Sequence, residues 1–147
     1  MFLDALLKFS ENQALSGAGG LSTNVIDLSL TVPIRDIGVG EAMSVIIGVD
    51  VAAAAGGTYV FSLIQSTLDT MASPDVLSTR TVLAADLTAG ALVTLEVPQN
   101  AITKRYISLT YTLGATTPTI TVSAYLQPHA MTSVHPRHYA DAITISS

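Results

Sequence analysis

Between Val25 and Leu126 apolar and polar residues alternate in one short run after another. A repeat of two puts every second side chain on the same face of a pleated strand, so this stretch is predicted to be β-sheet with one face buried. In RYISLTYTL, Ile107, Leu109, Tyr111 and Leu113 alternate with Ser108, Thr110 and Thr112. In PTITVSAYLQP, Ile120, Val122, Ala124 and Leu126 alternate with Thr121, Ser123 and Tyr125. The turn GATTP between these two runs predicts a hairpin. NVIDLSLTV sets Ile26, Leu28, Leu30 and Val32 against Val25, Asp27, Ser29 and Thr31, and Pro33 ends it or marks a sheet edge.

Further strands are predicted in MSVIIGVDV, with Val45, Ile47, Val49 and Val51 inward and Gly48 at a bulge or close contact. TYVFSLIQS carries Tyr59, Phe61 and Leu63 on one face and Val60 and Ile64 on the other, which suits a central strand or one that meets a partner. Together these runs make an apolar stretch, Ala42 to Ile64, long enough to span a bilayer as a helix. Asp50 near its middle, the Gly56-Gly57 interruption and the β-branched alternation argue for two strands and a small-residue loop instead. Thr67 to Gly90 breaks the rhythm with Ser73-Pro74-Asp75 and reads as a long excursion holding one or two short strands around Val76 to Ala84. ALVTLEVP resumes the pattern. Seven or eight strands with some connections too long for a meander predict an all-β fold, a jelly-roll-like antiparallel β-sandwich with an N-terminal arm. An immunoglobulin-like sandwich is the weaker alternative, because tryptophan and paired cysteines are missing.

The flanks look different. Residues 1–24 read as an arm and linker: Phe2, Leu3, Leu6, Leu7 and Phe9 have helical spacing in a segment too short for an isolated helix, and Ser16-Gly17-Ala18-Gly19-Gly20 follows as a flexible tether. Residues 25–127 form the sandwich domain, and 128–147 an irregular tail in which Ile143 and Ile145 could dock. MFLDALLKF has no basic leader and carries Asp4 within its apolar stretch, so no export signal is expected.

Charge is scarce: 12% of residues against roughly 25% in an ordinary soluble domain. With 49% hydrophobic residues, such a chain is expected to cover part of its surface with a partner. The net charge is −5 and the six basic residues are scattered, only Lys104 and Arg105 being adjacent, so no nucleic-acid contact is expected. His129, His135 and His138 fall in PHAMTSVHPRHY, where Pro136 interrupts a helical pairing and no cysteine assists, so no metal site or cofactor is expected. Glu41, Asp50 and Glu96 are isolated carboxylates rather than a converging pair, GAGG is not followed by the strand-to-helix context of a phosphate loop, and no nucleophile elbow is present. Catalysis is therefore not expected. A sugar platform would need exposed rings, and Tyr59, Phe61, Tyr106 and Tyr111 are better used in a core or interface.

Several stretches in order, FLDALLKFSENQAL, STNVIDL, RDIGVGE, KRYISLTYTLG and VSAYL, resemble the capsid cement, or decoration, proteins of tailed bacteriophages. The resemblance implies a non-enzymatic jelly-roll virion protein on the outer capsid surface, made in the bacterial host cytoplasm. Its implied partners are the major capsid protein and itself, as a homodimer rather than a trimer, with neither nucleic acid nor membrane. The contacts expected are the arm residues Phe2, Leu3, Leu6, Leu7, Phe9 and Leu15 and the loop residues Arg35, Asp36 and Glu41. A tail or baseplate sandwich and a carbohydrate-binding module are the alternative readings.

Overall fold

The computed structural model describes residues 7–28, 43–98, 101–114 and 116–128. Nine strands account for most of them: β1 (Lys8–Ser16), β2 (Gly19–Leu21), β3 (Ile26–Asp27), β4 (Met43–Ala54), β5 (Thr58–Ser66), β6 (Asp75–Leu83), β7 (Leu92–Glu96), β8 (Tyr106–Gly114) and β9 (Thr119–Pro128). They build two antiparallel sheets. One has the order β1-β9-β4-β7; the other has β2-β8-β5-β6, with β3 also pairing with β8.

The pairings nest around one hairpin. β5 turns directly into β6 in the same sheet, β4 pairs with β7 in the other, β2 and β3 pair with β8, and β1 pairs with β9. A long hairpin rolled so that successive strand pairs fall in alternate sheets is a jelly roll. This topology corrects one expectation, because β8 and β9 alternate as predicted yet do not form a hairpin. The connection between them crosses from one sheet to the other, and each pairs with strands distant in sequence.

The alternation sets the core. Ile107, Leu109, Tyr111 and Leu113 of β8 and Ile120, Val122, Ala124 and Leu126 of β9 are all buried. β5 lies between β8 and β6, so Tyr59, Phe61 and Leu63 vanish into the core while Ile64 is buried on the opposite side. Phe61 and Tyr111 meet edge to face, with centroids 5.9 Å apart, in the arrangement that ring quadrupoles favour. On β4, Val45, Ile47 and Val49 point inward, but Val51 is 59% exposed. The reason is a register shift against β9 that begins after Val49 and turns Val51 out of the alternation. Gly48 is not the bulge; it pairs regularly with Leu92 and Ser123.

The N-terminal expectation needs the larger correction. Residues 8–16 and 19–21, read as arm and tether, are strands of the sandwich, and Phe9 (0% exposed) and Leu15 (6%) belong to its core. Gly19 adopts φ +90, and a Cβ there would lie 2.1 Å from the Tyr111 carbonyl oxygen, so the supposed tether is a tight crossing between sheets. The excursion from Thr67 likewise holds one nine-residue strand, β6, followed by a 3-10 turn at Ala84–Asp86. The predicted strand after Asn24 is described only as far as Leu28, and Leu30, Val32 and Pro33 lie outside the described residues.

A polar tie crosses the core. Ser10 Oγ on β1 donates to Gln13 Oε1 at 2.6 Å, which leaves the Tyr111 phenol on β8 to donate to Ser10 Oγ at 2.8 Å. Burial pushes the Tyr111 pKa well above that of a free phenol, and Ser10, able to turn its proton toward a phenolate, works against the rise. Above pH ~10 the unfolded chain loses this proton first, so the unfolded state binds fewer protons and stability falls as pH rises, by up to about 1.4 kcal/mol per pH unit. Below pH ~10 the contribution is fully present. Urea unfolding between neutral and strongly alkaline pH is expected to show this decline, with a shallower alkaline slope in Tyr111→Phe.

Candidate functional site

A two-layer sandwich has two lateral openings where the edge strands of its sheets face each other. Here the two are treated differently. On the β1/β2 side the chain itself passes between the layers at Gly17-Ala18, and Gln13 stitches the gap: Nε2 donates to Leu21 O at 2.8 Å and Oε1 accepts from Thr23 N at 3.0 Å. Asn24 N donates to Phe9 O at 2.8 Å, completing the closure.

The opposite side lies between the edge strands β6 and β7 and stays open. One long hydrogen bond bridges it, from Arg80 Nη1 to Thr94 O at 3.3 Å. A groove of about 390 Å³ runs there, lined by Ser78, Thr79, Arg80, Thr94, Leu95 and Glu96. Ser78 Oγ is buried in it with no hydrogen-bond partner. Val76 (61% exposed) and Leu83 (57%) stand on β6, and Leu92 (68%) on β7. Unpaired strand edges with exposed apolar side chains offer backbone hydrogen bonds and burial to whatever docks.

Charge in this region is distinctive. Lys8 pairs with Glu11 at 2.9 Å, Lys104 with Asp75 at 2.7 Å, and Arg105 holds Asp27 with two hydrogen bonds while lying 5.0 Å from the Tyr106 ring centroid. Among the described residues Arg80 is the basic side chain without a carboxylate partner, and Glu96 across the groove makes no ion pair. Among the described residues no cluster of three His, Asp or Glu could hold a metal ion, and no helix is long and apolar enough to cross a membrane.

The expected contact residues separate into two groups. Phe9 and Leu15 are core, so these two serve the sandwich rather than a partner, and Leu7 packs half-buried against that core. Phe2, Leu3, Leu6, Arg35, Asp36 and Glu41 lie outside the described residues, as do His129, His135, His138, Ile143 and Ile145. The open side was missed by sequence reasoning. Its signal was VLSTRTVL, a β-rich run interrupted by a single charge, hidden beside the turn residues that precede it.

The Bbp16 family model, a model of phage-associated proteins, matches residues 9–126. This chain belongs to the Bbp16 family. The Bbp16 match begins at Phe9, inside β1, and ends at Leu126, inside β9, so the strands that pair to close the roll are also the limits of the family's shared sequence. Residues before Phe9 and after Leu126 fall outside that shared unit. No curated protein matches the chain.

Proposed function

We propose that this Bbp16-family protein is a structural component of a phage virion that binds the outer capsid surface and cements neighbouring major capsid subunits, assembling as a homodimer. The observation that carries the reading is the phage-associated family match over the whole sandwich. It is supported by a sequence with 12% charged residues and by two edge strands left open on one side of the fold. A cement protein gains its energy from area buried across subunit junctions, at about 25 cal/mol per Å², less the cost of association. Many identical modest contacts on one shell then add through avidity.

Since Phe9 and Leu15 are committed to the core, the capsid contacts proposed are Phe2, Leu3, Leu6, Arg35, Asp36 and Glu41. The test is co-sedimentation with purified shells. The wild-type chain is expected in a fixed ratio to the major capsid protein. Removing residues 2–6 or replacing Arg35 and Asp36 by alanine is expected to lower occupancy at least about tenfold, as loss of anchor residues does at an interface. Full occupancy by both variants would take these residues out of the mechanism. Recovery of the protein with tails or baseplates instead of shells would move it to another part of the virion.

A further inference from the structure

We propose that the open side between β6 and β7 is where two copies of this chain join, β6 running antiparallel to the second copy's β6 about a two-fold axis, with Arg80 of each copy meeting Glu96 of the other. The inference rests on the assembly reading above and names the surface by which the protein pairs with itself.

The edge itself calls for a strand. β6 is nine residues long, contains no lysine or proline, and is exposed along most of its length; the charge it turns inward, Arg80, and the register shift between Ser78 and Val76 bar casual pairing and admit only a strand that brings an acceptor for the guanidinium. The charges then select the partner. A groove holding one cation and one anion, neither with an ion-pair partner among the described residues, would repel part of any single-signed partner. It is complementary to itself under a two-fold rotation, which exchanges the two charges.

The register agrees. Ser78 lies opposite Leu63 and Arg80 opposite Phe61 on β5, so both side chains belong to the inward face of their sheet. An antiparallel β6 pair centred on Thr79 sets each Ser78 opposite the second copy's Arg80 on that same face. The unpartnered Ser78 hydroxyl thereby gains a guanidinium donor. Glu96 lines the same groove as Ser78 from β7, where it pairs with Ser44 on the outer face of its sheet, so the guanidinium has to reach across the β7 edge to meet its carboxylate.

Light scattering on the full chain is expected to give twice the 15.3 kDa chain mass. Arg80→Glu and Glu96→Arg are each expected to weaken dimerisation at least about tenfold, and the double exchange R80E/E96R to restore it to within about threefold, because the swapped pair has the same complementarity. Circular dichroism and melting check that each variant folds, which the exposure of both side chains favours. As an independent readout, the chain has no cysteine, so Thr79→Cys is expected to crosslink across the axis under mild oxidation, whereas Leu21→Cys on the sealed side is not. A monomer at the highest soluble concentration, single reversals without effect, an exchange that fails to rescue, or equal crosslinking at both positions would each overturn the proposal. A monomer that still decorates shells sinks the dimer and leaves the capsid reading standing; a dimer that ignores shells does the reverse.

Discussion

Deleting residues 2–15 is expected to unfold this protein rather than to free it from a partner. The cut removes nearly all of β1, an edge strand paired with β9 from Lys8↔Tyr125 to Ser16↔Thr119, and with it the buried Phe9 and Leu15. Replacing a buried phenylalanine by alanine alone costs about 3–5 kcal/mol, and a domain of this kind has about 5–15 kcal/mol in total. The deletion also strips the Ser10 partner from Tyr111 and the Gln13 stitches from the β1/β2 side. Far-UV and near-UV circular dichroism should show loss of the sandwich, while Phe9→Ala should remain folded with a urea midpoint sharply lowered. A cooperative, wild-type-like transition in the deletion variant would mean that β1 is dispensable.

The second large effect is expected at Gly19. Its φ of +90 is one that a side chain rarely adopts, and an added Cβ would sit 2.1 Å from the Tyr111 carbonyl oxygen and 2.9 Å from its carbonyl carbon, both rigid backbone. Gly19→Ala is therefore expected to destabilise by about 2–4 kcal/mol, combining strain with displacement of β2 from β8. Gly20→Ala, one residue on, meets nothing within 4 Å and should differ from wild type by less than about 1 kcal/mol. Thermal melts of the pair separate the two. Equal stability would show that the crossing can move aside.

Inward faces were legible in the sequence wherever pairing was regular. Ile107 to Leu113 and Ile120 to Leu126 alternate without interruption, and each predicted core residue there is buried. What alternation could not report is the partner: two adjacent runs joined by GATTP have the local pattern of a hairpin, and the sheet each one joins is decided by strands far away in sequence. Bulges hid the rest. Asn12 at φ 45 and the register shifts on either side of Ser10 break the period of β1, so FSENQALS carries apolar core contacts only at Phe9 and Leu15 and reads as polar linker. The same effect turned Val51 outward.

The candidate site was less legible than the fold. Exposed strand edges carry little hydrophobic pattern because only one flank has a neighbour to match, and β6 shows this: Val76, Thr79, Arg80, Thr81 and Leu83 are all exposed. Arg80 and Glu96 are separated in sequence by a turn and a loop, and nothing in their spacing announces that they line one groove.

The nested pairing has a kinetic consequence. Lys8 finds its sheet partner only when Tyr125 has been made, whereas β5 and β6 can zip together as soon as both have emerged. Loop closure makes such distant pairing slow compared with a local hairpin. The roll is then expected to mature outward from the β5–β6 hairpin, with β1 and the open β6 edge both unprotected until β9 has been made. Production in a host cell is accordingly expected to depend on temperature and on chaperone supply more than the stability of the finished sandwich would suggest.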